Sequence, residues 1–253
     1  MKPAQRCREF ASALMLLTRV PVAWLLRGNP PEPLSRCIWA FVPVGLLVGA
    51  CGGFVFWLCV RSGLPQAIAA ILTVSAQIIL CGGLHEDGLA DFFDGLGGRT
   101  QEHRLEIMRD SRIGSFGALS LLLGVGLKIV SLAHYHTPAY TFAALLAAGA
   151  GGRAAMVFII LRLQPVRRDG LAHELQARPL MPGIVAIIAA GLATWLLLPP
   201  MIAALTSIGA GLVALAMALH LHRTLGGYTG DTLGATETLT EIMMLVLASL
   251  RAF

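Results

Sequence analysis

The chain has 253 residues, 56% hydrophobic and 13% charged, with a formal net charge of +5. That balance excludes an ordinary water-soluble domain, in which charged residues make up about 25%. Nor does the positive charge mark a nucleic-acid binder: the Lys and Arg residues are scattered over short loops and helix ends, with no aromatic-basic stripe to follow a strand.

Taken in chain order, Lys2, Arg6 and Arg8 precede an apolar run at 10–17, which resembles a leader peptide. Arg19 and Pro21 interrupt the run and no small-residue cleavage site follows, so residues 1–37 are expected to remain as an interfacial segment bent at Pro21. Six runs then approach the thickness of a bilayer core: 38–60, 67–84, 116–133, 140–161, 181–198 and 201–219. A seventh, 242–250, is short, but together with 236–241 it makes a final helix whose first turns face a polar site. The fold class predicted is all-α: a polytopic membrane bundle of six or seven helices, forming one integral domain over 1–253 with the bundle at 38–253. Gly45, Gly49 and Gly53, four residues apart, strip one helix face of side chains and predict close helix packing there. The five cysteines Cys7, Cys37, Cys51, Cys59 and Cys81 include no CxxC pair and read as small buried hydrophobes.

Three polar segments interrupt the helices, at 85–115, 162–178 and 220–235. Each is separated from the next by a helical hairpin, so all three fall on one membrane face. The hairpin turns carry no Lys or Arg, whereas the polar segments carry Arg99, Arg104, Arg109, Arg112, Arg162, Arg167, Arg168, Arg178 and Arg223. By the positive-inside rule that face is cytoplasmic.

The first polar segment opens with His85-Glu86-Asp87-Gly88-Leu89-Ala90-Asp91-Phe92-Phe93-Asp94-Gly95. In a helix Asp87, Asp91 and Asp94 share one face, and their mutual repulsion calls for a hard cation; Mg2+, completed by phosphate oxygens, suits such a set. His85 and Glu86 could move a proton or orient a carboxylate. Arg109-Asp110-Ser111-Arg112, followed by Gly114, Ser115 and Gly117, reads as a phosphate-binding turn, because guanidinium forks and a helix start both suit an anion. In the third segment Thr229, Gly230 and Asp231 sit among glycines that permit close backbone approach, and Asp231 could add a fourth metal ligand. Glu237 and Glu241 follow on one face of an apolar helix, where ionisable groups are costly and usually functional. The same cost singles out Lys128 and Arg153, although Arg153 could also reach back to a lipid headgroup.

In this order, with Leu17-Thr18-Arg19-Val20-Pro21 ahead of them, these motifs resemble the cobalamin synthase family, the adenosylcobinamide-GDP ribazoletransferases of the inner membrane. The resemblance covers most of the chain. It implies that α-ribazole, or its 5′-phosphate, joins GDP-activated adenosylcobinamide with release of GMP. It makes His85, Glu86, Asp87, Asp91 and Asp94 the expected catalytic set, with Asp87, Asp91, Asp94 and Asp231 on the metal. Arg109, Asp110, Ser111, Arg112, Thr229, Gly230, Glu237 and Glu241 become expected substrate contacts. Membrane lipid is the medium, the enzymes that make the activated corrinoid are implied neighbours, and a homo-oligomer is left open. Two rivals remain. A CDP-alcohol phosphotransferase matches Asp87-Gly88-Leu89-Ala90 but expects arginine where Asp91 stands; a cation-coupled transporter would place its acids nearer the bilayer midplane.

Overall fold

Hydrocarbon offers a backbone no hydrogen-bond partners, so a chain this apolar must satisfy its own N–H and C=O groups within helices. The computed structural model describes residues 3–135, 137–167, 170–177 and 180–250, and no strand occurs among them. Helix α1 (Pro3–Leu17) and a short 3-10 turn (Ala23–Leu26) lead into α2 (Leu34–Cys37), which continues through a second such turn into α3 (Phe41–Arg61). There follow α4 (Gln66–Cys81), α5 (Leu84–Gly95), α6 (Gln101–Ile107), α7 (Ser115–His134) and α8 (Pro138–Arg162). A third 3-10 stretch (Leu171–Ala177) precedes α9 (Leu180–Leu197), α10 (Pro200–Thr224) and α11 (Gly230–Ala248).

Among the described residues five helices are long and apolar enough to cross a membrane: Leu34–Arg61, α7, α8, α9 and α10. A sixth crossing is made only if α4 and α5 count together as one pair, bent by 89°. The sequence expects one run over 67–84 continuing into the acidic motif. Instead Gly82 and Gly83 both take left-handed backbone (φ +66° and +70°), a conformation that glycine adopts at little steric cost, and the chain turns there. Lipid-facing residues such as Leu122, Val130, Ile188, Leu196 and Leu212 stay exposed on α7, α9 and α10, while α8 is buried along most of its length.

The glycine face of α3 meets α8 as expected. A Cβ at Gly45 would collide with the Gly149 carbonyl, one at Gly49 with the Leu145 carbonyl, and one at Gly53 with the Phe142 ring. The two backbones therefore touch, as small residues allow in membrane bundles. On the amino-terminal side, α1 buries Leu14 and Leu17 in the main core. Its Glu9, also buried, accepts hydrogen bonds from Arg6 (3.1 Å) and Trp39 Nε1 (2.8 Å). The chain bends directly after α1, where the Arg19 N–H donates to the Leu80 carbonyl (2.7 Å), rather than only at Pro21.

The three polar segments meet at one end of the bundle. Tyr228 N–H donates to the Gln164 carbonyl and Val166 N–H to the Tyr228 carbonyl, both at 2.9 Å, tying the second segment to the third. Gln101 Nε2 donates to the Leu225 carbonyl (2.9 Å) and Arg167 to the Leu105 carbonyl (3.0 Å), tying in the first. Helix α11 runs from this end to the other, where Tyr135 and Tyr140 donate to its Leu245 and Ala248 carbonyls, each at 2.7 Å. Lys2, Arg168 and Arg178 lie outside the described residues. Two expectations need correction. Only Cys37 and Cys81 are buried, Cys51 and Cys59 being half-buried and Cys7 exposed. Arg153 does not reach a headgroup: it is 1% exposed in the bundle interior, where an acid on α11 meets it.

Candidate active site

Helix α5 is wedged between α11 and α7, and two glycines let it in. A Cβ at Gly88 would lie 2.6 Å from the Asp231 carbonyl oxygen, and one at Gly117 would strike Asp94 and the Ala90 carbonyl. With Leu84–Gly95 helical, Asp87, Asp91 and Asp94 follow the predicted i, i+4, i+7 spacing. The acidic neighbours of Asp91 are Asp87, Asp231 and Asp94, with Arg167 the cation among them. Arg167 also stands 3.8 Å from the Asp231 carboxylate. Two of the polar segments thus deliver carboxylates to one place, and the remaining one answers with an arginine.

Asp94 caps a helix. Its carboxylate accepts the Gly114 N–H (2.7 Å) and the Gly117 N–H (2.8 Å), capping the first turn of α7, where a negative charge also suits the helix dipole. Among the described residues no three His, Cys, Asp or Glu side chains close on a single metal position. The three aspartates of the predicted metal set share one face of α5, and Asp94 holds the arginine loop beside that helix.

That loop is open to solvent. Arg112 donates to Asp110 from Nε (Oδ1 at 3.0 Å, Oδ2 at 3.1 Å), from Nη2 (Oδ2 at 2.6 Å) and from its backbone N–H (Oδ1 at 3.0 Å), while its side chain stays 87% exposed. These bonds pull the Asp110 carboxyl down to about 2. Arg109 and Ser111 are exposed beside it. Thr229 caps α11: its hydroxyl accepts the Thr232 N–H (3.3 Å) and donates to the Asp231 carboxylate (3.3 Å), and Thr232 Oγ1 accepts the Thr229 N–H (2.9 Å), a reciprocal cap. Gly230 begins the helix with open space where a Cβ would stand.

Glu237 and Glu241 are drawn into ion pairs. Both are buried in the bundle, Glu237 against Arg153 and Glu241 against Lys128 Nζ (2.9 Å), and Lys128 reaches Glu86 at 3.4 Å. His85 Nδ1 stands 3.7 Å from Glu237. Isolated charges in hydrocarbon are costly, so each acid here is met by a cation from another helix. The pairings join α5, α7, α8 and α11. The sequence flagged all of these charges as expensive, but it gave no means of pairing residues more than a hundred positions apart, as Lys128 and Glu241 are. The role of Arg167 was missed altogether: in the sequence it is one arginine of a topological set, and only the fold sets it beside Asp231.

Fold and site together define a polytopic helical membrane protein with an acidic centre at one end of its bundle and an arginine loop at the rim. The family model described as cobalamin-5-phosphate synthase matches residues 9–249, and the chain belongs to that family. Its relatives include adenosylcobinamide-GDP ribazoletransferases of Bradyrhizobium diazoefficiens (41% identical over 85% of this chain and 84% of the relative) and Sinorhizobium medicae (40% over 94% and 96%). The Shewanella baltica protein of the same name is 37% identical over 92% of this chain and 90% of its own. No solved structure matches the chain.

Proposed function

We propose that the chain is an adenosylcobinamide-GDP ribazoletransferase of the cell inner membrane, with its polar end facing the cytoplasm. The observation that carries this reading is the meeting of Asp87, Asp91 and Asp231 beside an arginine loop that Asp94 holds in place. Such an arrangement suits an activated pyrophosphate. Three acids that share one cation, Arg167, leave negative charge for a metal to balance, and guanidinium groups at the rim suit phosphate. The cytoplasmic orientation is supported by the arginine-rich segments gathered at that end and the two hairpin turns that lack Lys and Arg.

The donor set fits Mg2+ as proteins usually hold it, through one or two carboxylates with substrate phosphates and water completing the octahedron. Asp87 and Asp91 would hold the ion, with Asp231 at its edge; when bound it supplies charge neutralisation for the phosphates. The chain's own side chains do the rest. Arg109 and Arg112 bind the pyrophosphate and the departing GMP, and Asp110 keeps Arg112 extended. A ribose hydroxyl of ribazole forms the new P–O bond as the P–O bond to GMP breaks. The hydroxyl's proton passes to a carboxylate of the acidic face, and the electron pair of the broken bond leaves on GMP. Arg167 fixes Asp231 and spans the gap to α6, so both walls of the site keep their spacing.

The test is direct. Purified protein in liposomes, given adenosylcobinamide-GDP, α-ribazole or its 5′-phosphate and Mg2+, is expected to form the joined corrinoid and GMP in equal amounts. No corrinoid product with any divalent metal would overturn the reading.

A further inference from the structure

Helix α7 meets α5 and α11 at one level. A Cβ at Gly124 would lie 3.1 Å from Ile242 Cδ1 on α11 and 3.4 Å from Leu89 Cδ2 on α5, so a residue without a side chain is what brings α7 up to both. Four residues on, Lys128 stands on the same face of α7. It is 4% exposed, and its Nζ donates to Glu86 Oε1 on α5 (3.4 Å) and to Glu241 Oε2 on α11 (2.9 Å). A single ammonium group thus spans the two helices that carry Asp87, Asp91 and Asp231.

What it fixes on α5 is a rotation. Neighbouring residues of an α-helix point about 100° apart, so whatever holds Glu86 also sets the direction of Asp87, and through it that of Asp91 one turn later. Glu86 Oε2 has no hydrogen-bond partner, which leaves the hold to Oε1 and Lys128. The far end of α5 is attached to the same helix, because Asp94 accepts the Gly114 and Gly117 N–H groups at the start of α7. Asp87 and Asp91 lie between the two attachments. Repulsion among Asp87, Asp91 and Asp231 favours turning α5 until the acids are further apart. Close packing at Gly88 sets how near α5 comes to α11; the two polar attachments set how it is turned.

We propose that α7 is a two-point mount for the acidic helix, and that Lys128 is a positioning residue for the reaction: it keeps Asp87 and Asp91 turned towards Asp231, at the spacing a divalent cation needs. This role rests on the transferase reading above. It places a determinant of metal affinity inside the bundle rather than at the face.

The probe is Mn2+, whose binding to the purified full chain in liposomes is read from the loss of the free ion's electron paramagnetic resonance signal. Charge and position predict opposite signs. Removing a nearby cation strengthens a cation site by Coulomb attraction alone, whereas releasing α5 weakens it. Groups that orient metal ligands from behind are worth about 10- to 100-fold in affinity, so Lys128→Met is expected to weaken Mn2+ binding about tenfold and to raise the Mg2+ concentration for half-maximal transfer alike. That variant leaves Glu241 buried without its cation. Lys128→Met combined with Glu241→Gln removes one charge of each sign, leaves the net charge unchanged, and is expected to show the same weakening. Lys128→Arg, which keeps donors for both carboxylates, is expected to recover most of the affinity. Unchanged or tighter Mn2+ binding in the folded double variant, with only its thermal unfolding lowered, makes Lys128 a stabilising residue alone and overturns the proposal. If the wild type binds Mn2+ but transfers no riboside, the transferase reading falls, and the ranking of Mn2+ affinities among the variants still decides the mount.

Discussion

The interior ion pairs and the polar face are built from the same residue types and do opposite things. Inside the bundle Glu237 meets Arg153 and Glu241 meets Lys128, with side chains no more than 6% exposed. At the face, Asp87 and Asp231 lie near Asp91, Arg167 stands by Asp91 and Asp231, and Arg112 sits in solvent. In hydrocarbon an unpaired charge is costly, so pairing is a condition of folding; at the membrane surface water screens repulsion and leaves acids free to take a ligand. A charged residue in this chain must therefore be read by its depth before its chemistry.

The largest expected effect comes from breaking an interior pair. Removing one member of a buried pair leaves its partner uncompensated and costs about 3–5 kcal/mol. Arg153→Leu and Glu237→Leu are each expected to abolish monodisperse protein in detergent, read by size-exclusion profile and thermal unfolding, whereas the double substitution recovers much of the loss. Equal damage from single and double variants would mean that the pair is not the unit of stability.

The next effect is catalytic and leaves the fold alone. Asp87→Asn and Asp91→Asn are expected to lower kcat about 10²–10³-fold, the usual loss when one electrostatic stabiliser is removed, with unchanged thermal unfolding. Asp94→Asn, by contrast, is expected to lower stability first, because it weakens the cap on α7 that the Gly114 and Gly117 N–H groups complete. If Asp94→Asn matches the other two in both measurements, the separation of cap from centre fails.

The smallest effect is predicted for the exposed Asp110–Arg112 pair. The carboxyl is held down to about 2, so it is ionised at every working pH, and what it contributes is present above its unfolded value of 3.8 and lost only as pH falls towards 2. Asp110→Asn is accordingly expected to leave the rate profile between pH 5 and 9 unchanged in shape. A new inflection in that range would give Asp110 a part in the reaction.

How much of this was legible in the sequence follows the same division by depth. The spanning helices could be read from run length alone, and the Gly45, Gly49, Gly53 face from spacing, since both are local signals. The break at Gly82–Gly83 escaped because the apolar run continues past it to Leu84, and a φ near +70° leaves no mark in hydropathy. Proximity of the three polar segments followed from counting crossings, yet the division of labour among their residues did not. That Asp94 caps α7 could not be read, because Gly114, whose N–H it accepts, lies 20 residues on. Nor could the pairing of Glu237 with Arg153, because pairing between distant helices has no sequence period.

One consequence of the interior pairs concerns how the protein is made. Lys128 and Arg153 lie on α7 and α8, while two of the acids that neutralise them, Glu237 and Glu241, lie on α11, which follows α10 in the chain. Synthesis therefore places two cations in the membrane well before those partners emerge. Helix α11 is absent from the segments apolar enough to cross unaided, so its entry draws on the waiting charges as well as on lipid. The same helix brings Asp231 to the acidic face. The acidic face is thus completed at the step that neutralises the bundle, and a chain stalled before α11 carries neither that finished face nor a settled membrane domain.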